Sequence, residues 1–107
     1  MYLVRRVCRT ERGRVWEVAN LLKKICAAYE ANGRRPATVY IGGTSVPGSS
    51  ITVCAEWIQD KIEPNPLSNV PKVVISLAGE MQPLLSSYEI EFYEIVTDAG
   101  LADRGLS

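Results

Sequence analysis

The stretch YLVRRVCR, Tyr2 to Arg9, decides how the rest of the chain is read. Its alternation is that of a strand, yet three arginines, Arg5, Arg6 and Arg9, stand where a strand should be half apolar. A guanidinium leaves water at low cost only with a partner, so something beside or over this strand has to answer the charge. The remainder of the sequence is where that answer has to come from.

Charge is balanced overall, with 12 Lys/Arg against 12 Asp/Glu, but it is unevenly placed. Residues 1 to 35 hold nine Lys/Arg against three Asp/Glu, and residues 36 to 107 hold three against nine. A basic half taken alone suggests nucleic acid. The equal and opposite half makes internal pairing the simpler account, and no nucleic-acid partner is expected. At 107 residues and 47% hydrophobic, the chain has the size and composition of one globular domain. No apolar run approaches the roughly 18 to 20 residues of a membrane span, so no membrane partner is expected. The start, MYLVRRVCRT, lacks the apolar core and cleavage site of a signal peptide. These features predict a soluble, cytoplasmic protein.

Residue types exclude some chemistry. The chain has no histidine, which removes the commonest general base, the usual proximal haem ligand and any Ser-His-Asp triad. Cys8, Cys26 and Cys54 are an odd set without a CxxC pair, and they read as buried free thiols with no metal site.

Downstream of the first strand, Thr10 is a candidate helix cap, with Glu11 in the first turn. Val15, Val18, Ala19, Leu22, Ile25, Cys26 and Tyr29 then recur on one face of a helix that Asn32-Gly33 stops. Trp16 lies off that stripe, as a surface residue. Ala37 to Ile41 and Ser50 to Trp57 alternate as strands, joined by a Gly/Pro/Ser loop into a hairpin. The loop GTSVPGSS, Gly43 to Ser50, has the spacing of a phosphate-binding loop but carries Ser49 in place of the lysine, and it feeds a strand, so it reads as a turn. Gln59 to Asn69, with Pro64 and Pro66, reads as an irregular connection. A second helix begins near Pro71, with Ser68 or Asn69 as cap, and carries a stripe of Val70, Val73, Val74, Leu77, Met81, Leu84 and Leu85. Gly79 and Pro83 predict a kink or an end near Gln82. Tyr88 to Val96 is the last strand. Residues 1–97 make the domain, and 98–107 read as a loose C-terminal tail.

The order βαββαβ, with right-handed crossovers, places both helices on one face of the sheet. It predicts an α+β, ferredoxin-like sandwich: a four-stranded antiparallel sheet, order 4-1-3-2, with strands 1 and 3 central. Val4, Cys8, Ala37, Val39, Ile41, Ile51, Val53, Ala55, Trp57, Ile90 and Phe92 should lie under the helices. The opposite face would carry Leu3, Arg5, Val7, Thr38, Tyr40, Thr52, Cys54, Glu56, Glu91, Tyr93 and Ile95. That face is too apolar to be left wholly in water and too polar for a core, which predicts a homodimer through the open sheet faces around a mixed polar cavity. The order also sets the last strand against the first, so that Glu89, Glu91 and Glu94 stand across from Arg5, Arg6 and Arg9.

To this element order the sequence adds Tyr2 and Arg5 on the first strand, Gly13-Arg14 in the turn into a long helix, and a third strand that ends in Trp57 and is followed by Asp60. With these features the chain resembles the dimeric α/β-barrel superfamily of small ferredoxin-like proteins, and most nearly its NIPSNAP-like branch. The fit covers residues 2 to 97 in element order. The resemblance implies a family of haem-degrading monooxygenases, cofactor-free quinol-forming monooxygenases, isomerases resembling muconolactone isomerase and many proteins of unknown role. Its haem-degrading members use a histidine that this chain lacks, so no haem, and no other cofactor, is expected.

Several residues of the open face could carry function. Arg5 could stabilise an oxyanion or bind a carboxylate, or it could sit in a cross-strand ion pair. Glu56 could act as a general base if burial raises its pKa, or be held ionised by an arginine such as Arg9. Tyr40, Tyr93 and Trp57 could orient or stack on a ligand, or simply pack. The leading expectation is a dimeric protein that binds a small organic ligand in the barrel cavity. One alternative is a cofactor-independent monooxygenase or isomerase acting on a small aromatic or polyketide-like substrate. Another is a structural oligomer whose barrel is filled by side chains.

Overall fold

The computed structural model describes residues 1–48, 50–63 and 70–106. In chain order its elements are β1 (Tyr2–Thr10), α1 (Val15–Glu30), β2 (Thr38–Gly42), β3 (Thr52–Gln59), α2 (Lys72–Met81), β4 (Leu85–Glu94) and α3 (Asp98–Asp103). The four strands form one antiparallel sheet in the order β2-β3-β1-β4, with β1 and β3 central. This is the ferredoxin-like arrangement expected from the element order, and within the chain the sheet stays open.

Helix α1 follows its apolar period. Val15, Val18, Ala19, Leu22, Ile25, Cys26 and Tyr29 are all buried, while Trp16 is 79% exposed. They pack on the strand positions that alternation assigns to the same side: Val4, Cys8, Val53, Ala55 and Trp57. Burying each large aliphatic side chain of this set contributes roughly 1.5–3 kcal/mol. Thr10 does not cap α1. It ends β1, its hydroxyl donates to the Leu84 carbonyl at 2.6 Å, and a short 3-10 turn, Arg12–Arg14, intervenes before the helix. The stop is as read: Gly33 has φ of 105°, a left-handed conformation that glycine adopts at least cost.

In the β2–β3 loop, Gly43 has φ of 88°, and a Cβ there would lie 2.0 Å from the Ser50 carbonyl oxygen, so the turn excludes any side chain. Ser49, the position of interest in the loop motif, lies outside the described residues, as do Pro64, Pro66 and the candidate caps Ser68 and Asn69. Pro71 holds the cap position of α2 without a side-chain bond. The helix ends at Met81 and passes through a 3-10 turn containing Pro83, as that proline requires. Strand β4 therefore starts three residues earlier than its alternation suggests. The expected α2 stripe is partly corrected: Val74 and Met81 are buried and Leu77 packs against the core, but Val73 is 53% exposed. The segment that reads as a loose tail contains α3, whose cap Thr97 accepts a hydrogen bond from the Gly100 amide at 3.0 Å.

Candidate functional site on the open face of the sheet

Register builds the site. Arg5 lies across from Glu56 on β3 and from Glu91 on β4, and Glu56 lies across from Thr38 on β2. One transverse row, Thr38–Glu56–Arg5–Glu91, thus crosses all four strands on the face opposite α1 and α2. The next row is Tyr40–Cys54–Val7–Glu89. Tyr93 lies across from Leu3, one row to the other side.

Within the rows the polar groups bond to each other. Arg5 Nε donates to Glu91 Oε1 at 2.7 Å. The Tyr40 hydroxyl donates to Glu56 Oε1 at 2.9 Å. The Arg5 guanidinium lies 5.9 Å from the centre of the Tyr93 ring. Hydrogen bonding to Glu91, and then to Tyr40, raises the Arg5 pKa further above its ordinary value. Burial alone would raise the Glu91 carboxyl, but hydrogen bonds from Arg5 and Tyr93 reverse that and hold it below the usual value. Burial, together with its bond to Glu56, pushes the Tyr40 phenol up to about 12. Every displaced group of this network has moved away from neutrality. At neutral pH Arg5 stays a cation, Glu91 an anion and Tyr40 and Tyr93 protonated phenols, and none of these four titrates near 7.

The open face brings together four of the five residues singled out in the sequence: Arg5, Tyr40, Glu56 and Tyr93. Trp57 is not among them. It is 2% exposed on the helix-covered face, where its indole N–H donates to Gln59 Oε1 at 2.9 Å. Gln59 in turn donates to the carbonyls of Lys61 and Glu63, both at 2.6 Å, and so fixes the exit of β3.

The arginine–glutamate ladder needs two corrections. Arg5 meets Glu91 and Arg9 meets Glu89, as strand pairing predicts. Arg6 instead shares the period of Val4 and Cys8, so it points under the helices and lies over the rings of Trp57 at 5.6 Å and Tyr88 at 5.8 Å. Glu94 stands across from Tyr2. Glu56 takes its hydrogen bond from Tyr40, and Arg9 is bound to Glu89 instead.

Sequence reasoning passed over Arg34. It follows the Gly33 stop, where no period marks its direction, yet it is 7% exposed and stacks 4.1 Å from the Trp57 ring centre and 4.8 Å from that of Tyr29. The three cysteines are free and buried as expected, and burial pushes the Cys8 thiol up to about 11. Among the described residues no group of three or more His, Cys, Asp or Glu side chains is placed to hold a metal ion. No helix among them is long and apolar enough to cross a membrane.

The fold defines the class. The chain is similar over 92% of its length, and 97% of the other, to an uncharacterized NIPSNAP domain protein from Burkholderia xenovorans, with a TM-score of 0.59 and 14% identity. It is similar to a candidate antibiotic biosynthesis monooxygenase from Chloroflexus aurantiacus, covering 90% and 93% of the two chains, with a TM-score of 0.55 and 15% identity. A second candidate antibiotic biosynthesis monooxygenase, from Deinococcus radiodurans, matches with a TM-score of 0.54 at 14% identity over 91% and 94%. At such identities the likeness is one of fold, and it agrees with the NIPSNAP-like resemblance carried by the sequence. No protein-family model matches the chain, and no curated protein is similar to it in sequence.

Proposed function

We propose that two copies of this chain pair through their open sheet faces and bind a small organic ligand between them. The observation that carries this reading is the transverse row Thr38–Glu56–Arg5–Glu91 with its flanking Tyr40 and Tyr93. It is a hydrogen-bonded polar pattern at the centre of a sheet face that neither α1 nor α2 covers. Half-exposed rings and fixed donors and acceptors of this kind suit a ligand with hydroxyl or carbonyl groups on an aromatic body.

Binding is favoured over catalysis by the state of the two groups an enzyme would use. Arg5, the candidate oxyanion stabiliser, is engaged by Glu91, and Glu56, the candidate base, already accepts the Tyr40 proton donor. The monooxygenase reading keeps one argument, the names of two structural neighbours. Fold alone does not transfer chemistry.

Ligand-observed NMR with a set of small hydroxylated aromatic compounds tests the proposal. At least one should bind the wild-type protein and lose affinity by about tenfold in Arg5→Ala or Tyr93→Ala, the loss of roughly one polar contact. If every binder is unaffected by both substitutions, the site is not on this face. Turnover of a bound compound in air without added cofactor would replace the binding reading with the enzymatic one.

A further inference from the structure

The strand order leaves β2 with one free edge, and the register shows which of its backbone groups lie there. The Thr10 amide donates to the Ile51 carbonyl at 3.2 Å, which makes Thr10 and Ile51 a hydrogen-bonded pair beside the β1–β3 ladder. Antiparallel pairs alternate between bonded and non-bonded. Val53 and Ala55, across from Cys8 and Arg6, therefore turn their peptide groups to β1 as well. Cys54 and Glu56 turn theirs to β2, where they meet Tyr40 and Thr38. Val39 and Ile41 are left with amides and carbonyls aimed outward, and among the described residues no strand pairs with them there.

The second observation is what lies beside that edge. Between it and α1 runs a groove of about 580 Å³. Trp16, Asn20 and Lys23, spaced four and three residues apart on one side of α1, line one wall, and Val39 and Ile41 line the other. Trp16 is 79% exposed and is the one large apolar side chain of α1 that the fold leaves uncovered. Lys23 is exposed and, among the described residues, joins no ion pair. Arg12 donates to the carbonyl of Thr44, another lining residue, at 3.0 Å, and so brings a second cation to that end of the groove. Among the described residues no acid lines it.

We propose that this groove takes an extended, acidic peptide segment of a partner protein, added to the sheet as a strand beside β2. The outward amides and carbonyls of Val39 and Ile41 supply main-chain hydrogen bonds, and alternate side chains of the peptide face α1. One of these is apolar and packs on the Trp16 indole, a residue type that often dominates binding energy. Another is a carboxylate that meets Lys23. β2 is five residues long, so the recognised segment is short. The groove lies along the edge of the sheet, and Tyr40, between the two outward residues, directs its hydroxyl to Glu56 on the open face. The proposal therefore stands or falls separately from the ligand reading of that face.

Amide hydrogen exchange followed by NMR tests it, with a capped hexapeptide of alternating valine and threonine carrying one central glutamate as probe. In the free protein the Tyr40 amide should be protected by β3, while those of Val39 and Ile41 exchange freely. Peptide at about tenfold over its Kd should slow both by about tenfold and shift the Trp16 indole N–H resonance, leaving that of Trp57 in place. Lysine in place of the peptide's glutamate should weaken binding by about tenfold, and Lys23→Glu should reverse that preference. Val39→Pro removes an outward amide that the sheet does not use, so the variant should keep its fold and lose the peptide. Val39 and Ile41 amides that do not respond to millimolar peptide would overturn the proposal, as would equal binding of the glutamate and lysine peptides. Protection that rises with protein concentration alone would overturn it in favour of a second copy at this edge. If Val39→Pro fails to fold, the exchange of Val39 and Ile41 in the wild-type protein still decides it.

Discussion

Arg5 and Arg6 are neighbours in sequence and meet opposite surroundings. On the open face Arg5 bonds to Glu91 across β1 and β4, and Arg9 does the same with Glu89. On the covered face Arg6 and Arg34 lie over the rings of Trp57, Tyr88 and Tyr29. A strand's period of two makes this split unavoidable, since adjacent side chains point to opposite faces. In the half-exposed setting a carboxylate one strand away answers a cation at low cost. Under two helices the desolvation of a second charge would be large, and aromatic faces take the cation at smaller expense. The contrast teaches that the basic first strand is two devices, one for each face of the sheet.

The largest effect should come from the ring that the covered cations share. Trp57→Ala removes an indole that is 2% exposed, and should lower stability by about 3–5 kcal/mol in urea unfolding. A loss below about 1 kcal/mol would mean that the core does not depend on that ring. Arg34→Met sharpens the contrast further. Replacing a buried cation by an apolar side chain of similar length should leave stability unchanged or raise it by about 1 kcal/mol. A loss of more than about 2 kcal/mol would show that Arg34 is structural, not held against its own cost.

On the open face the effects should be smaller. Arg5→Ala should change the unfolding free energy of the monomer by less than about 1 kcal/mol, because its ion pair with Glu91 is partly in solvent. The smallest effect is in acid. The Glu91 pKa is depressed in the folded state below its ordinary 4.5, so the stability it contributes is present above that pH and is lost as pH falls through the depressed value. Glu91→Gln should therefore match wild type more closely under strong acid than at neutral pH, in unfolding followed by circular dichroism. An equal difference at every pH would contradict the ion pair.

Much of the architecture was legible because it depends on period. The α1 stripe from Val15 to Tyr29 and the alternation of β3 from Thr52 to Trp57 each specify a buried face, and the order of elements then fixes the sheet. The row Thr38–Glu56–Arg5–Glu91 follows from that order once register is known. What escaped did so where period is silent or was set aside. Arg6 shares the face of Val4 and Cys8, but its charge invited pairing with the acidic strand instead. Arg34 sits just past a helix stop, and Gln59 just past the aromatic that ends the β3 alternation. Their roles come from the turn geometry after Gly33 and the β3 exit, which no spacing rule encodes. The Thr10 cap failed because β1 keeps pairing for as long as β3 and β4 lie beside it, so a residue with cap chemistry became the end of a strand.

The claim that joins both faces is that the open one is made to be covered by a second copy. Light scattering behind size-exclusion chromatography at micromolar concentration measures this directly, with wild type beside Tyr93→Arg, a substitution at a ring that is 46% exposed. Wild type should elute with twice the mass of the chain and the variant with the mass of one chain, their circular dichroism spectra being the same. A wild-type protein of single-chain mass, or a variant that keeps the double mass, would contradict the account.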